Sequence, residues 1–321
     1  MQDRVMPIPV IAVTQRKGGP GKTTLTRTLA EYFALVRKIR VLLIDFDTQC
    51  NLSHLFLNME MMPDGGTRPP LHPEYDPNNP DHADWSGRTS SANIFGFGGL
   101  QLPYDVTRPE TDKLIEILPG DSQLLVEVEE QDKTKLKEAV ENQTRALLEG
   151  NEVIERLYNV VLIDTAPSAS PLTRSALRAA SHMLIPMELE EQCFEGMHEM
   201  LSMWRAENAR RPAQQRLEIL AIQANKVKPK RVVHQEFWSQ LQSSKIARQY
   251  LSPVQIPDLA EFAERDTQAA RPRSIFQLAP SNKARKIATE FGDHIWDKLF
   301  PNDLPLTAMP AAKIERAVAH G

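Results

Sequence analysis

Two lysines bracket a run of glycines in Gln15 to Thr24, QRKGGPGKTT. Gly18, Gly19 and Gly21 let the backbone turn its N–H groups toward one point, which is the chemistry of phosphate capture. Lys22 supplies a cation for β- and γ-phosphate oxygens, and the Thr23 hydroxyl a ligand for Mg²⁺. Pro20 stiffens the turn but lacks an N–H, and Thr24 opens the helix that follows. The usual loop, G-x-x-x-x-G-K-[ST], wants glycine where this chain has Arg16, and it has no counterpart of Lys17.

Two acidic segments accompany the loop. Leu42 to Asn51 reads LLIDFDTQCN, so Asp45 and Asp47 leave an apolar strand together. One of them can orient or activate a water near a γ-phosphate, and the other can contact the metal shell or a partner chain. Val160 to Ser168 reads VVLIDTAPS, an apolar strand ending in Asp164, where a carboxylate can hold Mg²⁺ directly or through water.

These residues need a scaffold that brings strand ends to one edge. Apolar, β-branched runs at Ile8–Val13, Val41–Asp45, Lys113–Leu118, Val160–Asp164, Met183–Pro186, Leu217–Asn225 and Val254–Ile256 read as strands. Helical spacing predicts helices over 22–38, 122–130, 132–148, 171–180, 191–209, 231–242, 258–265 and 282–300. Alternating strands and helices predict an α/β fold, a doubly wound, mostly parallel sheet with helices on both faces, as in P-loop NTPases. Ligands of such sheets bind at the carboxyl ends of the strands. We expect a single domain over residues 1–300, interrupted by an irregular insertion at 59–110 rich in Pro, Gly, Asn and Asp, and a loose tail at 301–321. His72, Glu74, Asp81, His82 and Asp84 lie in that insertion without metal-ligand spacing and read as a solvated loop.

In this order, the three segments resemble the deviant Walker A ATPases of the ParA/MinD class. Lys17 to Thr23 matches K-G-G-x-G-K-[ST], and Asp45 to Asn51 matches D-x-D-P-Q-x-N with Thr48 in place of proline. LPGDSQLLVEVE, IPMELEEQCFEGM, IPDLAEFAERDTQ and PSNKARKIATEFGDHI extend the resemblance over nearly the whole chain, though not over the insertion. No helix-turn-helix precedes the first strand, which is similar to the short ParA type. The resemblance implies an ATP/ADP- and Mg²⁺-binding ATPase that forms an ATP-dependent homodimer. In it Lys17 reaches the partner's phosphates, Lys22 serves its own nucleotide and Asp45 activates water. Thr23, Asp45 and Asp164 hold the metal, and Asn225 lies near the base. It further implies nonspecific double-stranded DNA binding, stimulation by a ParB-like centromere-binding or adaptor protein, and plasmid or chromosome partition. A MinD-like switch that positions a protein assembly without DNA partition is the alternative.

The net charge of −4 excludes bulk adsorption to nucleic acid, so DNA binding needs a local patch. NKVKPKR offers Lys226, Lys228, Lys230 and Arg231, with Arg271, Arg273, Lys283, Arg285 and Lys286 as extensions. Ile314 and Val318 are too few for a membrane-seeking face, and Ile287, Phe291, Ile295 and Leu299 read as core. Cys50 and Cys193 suit a reducing compartment and do not form the ligand pair of an iron–sulfur cluster. We expect a cytoplasmic, nucleoid-associated protein without a membrane span.

Overall fold

A computed structural model describes residues 8–63, 65–97, 99–106, 113–130, 137–148, 151–265 and 274–301. The chain runs β1 (Val10–Val13), α1 (Lys22–Glu31), β2 (Val41–Phe46), α2 (Asn51–Phe56), β3 (Glu60–Met61), β4 (Thr67–Arg68) and β5 (Tyr104–Asp105). It continues through β6 (Ile115–Leu118), α3 (Ser122–Glu130), α4 (Lys137–Leu148), α5 (Glu152–Leu157), β7 (Val160–Thr165), α6 (Pro171–Ala179) and β8 (His182–Met187). The last part holds α7 (Glu191–Asn208), β9 (Glu218–Ala224), α8 (Val232–Ser243), α9 (Ala260–Arg265) and α10 (Lys283–Leu299).

The central strands are buried on both faces, which is why they are apolar without alternation. Their odd and even residues feed two cores. Ala12, Leu42, Ile44, Val161 and Ile163 join the core with α3, α6 and α7, while Ile11, Val13, Leu43 and Leu162 join the one with α1 and α10. The sheet order is β5-β6-β2-β7-β1-β8-β9, parallel except for β5. Because β7 sits between β1 and β2, their crossovers diverge there and leave a crevice at the strand ends. Register sets the chemistry in line: Asp45 and Val13 both pair with Asp164.

Two expectations need correction. Residues 254–256 form no strand of the sheet. The segment runs beside β9 with single bridges, Ile222 to Leu251 and Val227 to Pro257. Pro253 and Pro257 bracket it and lack the N–H groups a continuous ladder requires. The insertion is not simply a solvated loop. His72 is buried, with its ring 4.6 Å from that of Tyr104 and 5.2 Å from that of Trp85. Tyr104 donates to Pro70 O at 2.7 Å, Ser91 Oγ donates to Asp45 O at 2.6 Å, and Phe95 packs on Phe46. The insertion thus braces the end of β2. Among the described residues, no group of three or more His, Cys, Asp or Glu gathers as a metal site.

Helix α10 closes the α1 face. Asn282 caps it through its side-chain oxygen, which accepts from Ala284 N at 2.8 Å and Arg285 N at 3.2 Å. Phe291 and Ile295 are fully buried, with Ile287 and Leu299 packed partly buried beside them. A Cβ on Gly292 would meet the Tyr32 ring at 2.3–2.6 Å. Gly292→Ala is therefore expected to lower stability by about 1 kcal/mol or more, despite alanine's better helix propensity. A raised urea midpoint would show instead that α10 can shift to make room.

Candidate functional site

The loop between β1 and α1 is shaped by glycine. Gly19 and Gly21 have φ of 90° and 89°, the left-handed region that side chains avoid. Gly21 also caps α1 without a side chain, so the helix's first N–H groups face the crevice uncovered. The loop carbonyls are tied elsewhere. Lys17 O accepts from Lys22 Nζ at 3.4 Å, Pro20 O from Asn225 Nδ2 at 2.8 Å, and Gly19 O from Lys226 Nζ at 2.5 Å. A cavity of about 780 Å³ opens here, lined by Gly18, Gly19, Gly21, Lys22, Thr23 and Thr24 of the loop. Asp47, Gln49, Asn51, Asn225 and Lys226 line its other walls, with Pro257 to Ala263. Pro20 is buried and holds the turn without lining the cavity.

Behind the loop lies the acidic corner. Thr23 Oγ1 donates to Asp164 Oδ2 at 2.6 Å. Asp164 is fully buried, and desolvation, reinforced by Asp45, pushes its pKa up to about 8. Burial also pushes Asp45 up to about 6 and Lys22 below its usual value, although Asp164 and Asp47 pull Lys22 the other way. The donors are all oxygen: a hydroxyl and the carboxylates of Asp45, Asp47 and Asp164. Such a set fits a hard divalent cation such as Mg²⁺. The amide cradle, Lys22 and the helix N-terminus fit a polyphosphate.

The structure separates the two aspartates of β2 and corrects the role given to Asp45. Its carboxylate accepts from Ser53 Oγ at 2.6 Å, Ser53 N at 2.9 Å and Asp47 N at 3.1 Å, and it does not line the cavity. Asp45 fixes the turn into α2 and adds negative charge beside Asp164. Asp47 does line the cavity, with only its Oδ1 engaged, by Gln49 N at 3.0 Å. Ser53 carried no sequence signal, because its partners are eight residues upstream and, through Gly120 N at 2.9 Å, on another loop. Gln49 and Asn51 were in plain view within the quoted motif.

Lys17 is half-buried at the loop's start but is not among the cavity's lining residues. Its ammonium makes no ion pair or hydrogen bond among the described residues. The main chain around it is held on α7: Gln15 Nε2 donates to Cys193 O at 3.3 Å, and Arg16 pairs with Glu199 at 3.0 Å. Gly196 permits this approach, since a Cβ there would meet Gln15 at 2.5 Å.

The expected basic patch is not a free one. Lys226 pairs with Glu188 at 3.0 Å, Lys228 with Asp258 at 3.1 Å and Arg231 with Glu190 at 3.4 Å. Of that run, Lys230 alone is exposed and unpaired among the described residues. Arg285 donates to Leu278 O at 2.5 Å, while Lys283 and Lys286 are exposed. Arg271, Arg273, Ile314 and Val318 lie outside the described residues. Among the described residues, no helix is long and apolar enough to cross a membrane.

Comparison with known proteins gives a family match, to the AAA domain, over residues 8–219. The putative replication protein A of Rhizobium rhizogenes is 30% identical over 198 residues, 60% of this chain but only 43% of that protein. A ParA family protein of Chlamydia trachomatis is 30% identical over 212 residues, 66% of this chain and 69% of its own length. Among solved structures, the ATP complex of Cyanothece McdA superposes with a TM-score of 0.65 at 14% identity, covering 91% of this chain and 96% of that one. A putative plasmid partition protein from Borrelia burgdorferi bound to AMPPNP gives 0.60 at 17% identity, covering 92% and 99%. At those identities the two structures speak for the fold.

The Asp45–Ser53 contact makes its own prediction. Ser53→Ala removes one donor to a buried carboxylate and the acceptor of Gly120 N, so stability should fall by about 1–3 kcal/mol in urea unfolding. An unchanged midpoint would mean that Asp45 is not held through Ser53.

Proposed function

The chain belongs to the AAA domain family that matches residues 8–219, as a ParA-type P-loop ATPase, and from that premise we propose that it works as an ATP-driven pair in DNA partition. It binds ATP and Mg²⁺ and hydrolyses ATP to ADP and phosphate. The observation that carries the paired reading is the division between two lysines. Lys22 is enclosed at its own cavity, whereas Lys17 stands outside that cavity with an unpaired ammonium. A cation placed so can serve a neighbour's phosphates, as an arginine finger supplied in trans does.

The chain's own residues divide the work. Amides of Gly18, Gly19, Gly21 and Lys22 orient the phosphates, and Lys22 neutralises the β/γ oxygens. Thr23 and Asp164 would hold Mg²⁺, with Asp45 adding charge behind them. When bound, the metal draws charge from the phosphate oxygens and so stabilises the charge that develops on hydrolysis. Asp47, facing the cavity, orients the attacking water and accepts its proton. Asn225 and the wall from Pro257 to Ala263 enclose the rest of the nucleotide. The dimer then brings each Lys17 to its partner's phosphates and couples association to ATP.

The names of relatives, a ParA family protein and a replication protein, favour partition of plasmid or chromosomal DNA. The partners in this reading are nonspecific double-stranded DNA and a ParB-like protein that stimulates hydrolysis, in a cytoplasmic, nucleoid-associated setting. Lys228, Lys230 and Arg231 are the DNA contacts. Their carboxylate partners are exposed, and such surface pairs contribute about 0–1 kcal/mol, so DNA phosphates can displace them. The same pairing favours, as a second reading, a nucleotide switch that positions a protein assembly with little DNA binding.

Lys17→Ala and Asp47→Ala should each keep nucleotide affinity within a few-fold and lose hydrolysis by about 10²-fold or more. Measured turnover near wild type in either would remove that residue from the mechanism. Neutralising Lys228, Lys230 and Arg231 together should lower DNA retention in ATP and reduce its salt slope, by about one unit per lost contact, while hydrolysis survives. Wild-type chain that shows no ATP-dependent retention at all would select the switch reading.

A further inference from the structure

Lys226 stands first in the basic run, yet its geometry turns it inward. It has φ of +52°, a left-handed conformation that non-glycine residues seldom adopt. That bend takes the chain off the end of β9 and aims the side chain at the phosphate loop. Its ammonium donates to Gly19 O at 2.5 Å and to Glu188 Oε1 at 3.0 Å, and Lys226 lines the cavity. Glu188 follows directly after β8 and lies 3.8 Å from the position a Cβ on Gly19 would take. Asn225, one residue before, holds Pro20 O at 2.8 Å. Two adjacent loop carbonyls are thus gripped by two adjacent side chains from the end of β9.

From this we infer that Lys226 and Glu188 form a positioning pair for the nucleotide site: Lys226 holds the Gly19 carbonyl outward, and Glu188 holds Lys226 in place. A peptide unit with its carbonyl turned out presents the next N–H inward, and here the following residue is Pro20, which has none. The amides of Gly19 and Gly21 therefore carry the cradle on either side of it, and the grip on Gly19 and Pro20 keeps both turned toward the phosphates. Lys226 in this role is not a DNA contact. The inference rests on the nucleotide-binding reading above.

The test compares wild type with Lys226→Met, Lys226→Arg, Glu188→Gln and the Lys226→Met/Glu188→Gln double variant. In nucleotide-free protein, amide exchange at Gly18, Gly19, Gly21 and Lys22 should quicken in Lys226→Met by about tenfold or more, the loss of a charge-assisted hydrogen bond. A fluorescent ATP analogue with Mg²⁺ should bind more weakly by a similar factor, and Lys226→Arg should restore most of both. Glu188→Gln should produce a smaller change in the same direction, and the double variant should be no worse than Lys226→Met. The salt slope of DNA retention at saturating ATP should stay at the wild-type value. Unchanged loop exchange and analogue affinity in Lys226→Met, or additive losses in the double variant, would overturn the pair. A lowered salt slope with an unchanged loop would return Lys226 to the DNA surface. Failure of wild type itself to bind the analogue would instead sink the nucleotide reading, which separates the two ideas.

Discussion

A loop that captures phosphate must turn its carbonyl oxygens away from the anion, and the whole arrangement depends on how this chain does so. Three loop carbonyls are taken by side chains: Lys17 O by Lys22, Gly19 O by Lys226 and Pro20 O by Asn225. Left-handed Gly19 and Gly21 make the backbone path possible, and the grips select it. The grips from Asn225 and Lys226 come from the end of β9, two strands away from β1 in the sheet. The sheet is therefore the frame against which the loop is tensioned, and its edge strand is part of the site.

The second constraint is electrostatic. Parallel register places Asp45 against Asp164, and both are fully buried. Like charges so close are tolerated because Ser53, Thr23 and the Asp47 amide donate to them and because Lys22 sits opposite. That arrangement suits a divalent cation, and it leaves Asp47 as the carboxylate facing the cavity. The insertion serves the same end from outside, since Ser91 holds the Asp45 carbonyl and Phe95 covers Phe46.

The fold was largely legible because buried parallel strands must be apolar throughout, and VLLID and VVLID announce themselves. The phosphate loop was legible because its glycines and lysines are local in sequence. What stayed hidden depends on contacts between distant segments. Nothing near Asp45 says that Ser53 occupies its carboxylate. Nothing in NKVKPKR says that Lys226 bends back to Gly19, or that Glu188, Asp258 and Glu190 meet three of its cations. Proline spacing around 254–256 carried a usable signal against a regular strand, but β-branched composition outweighed it. The insertion's aromatic residues, spread from His72 to Tyr104, pack only once their loop has closed.

The central claim is that each chain's cavity is completed by its neighbour's Lys17. The most direct measurement mixes Lys17→Ala and Asp47→Ala chains, each inactive alone and each still able to bind ATP. In a mixed dimer the Lys17→Ala chain keeps its own Asp47 and receives Lys17 from its partner, so one complete site forms. The account predicts that mixing restores ATP turnover that neither variant shows by itself. Turnover in the mixture no greater than the sum of the two would contradict it.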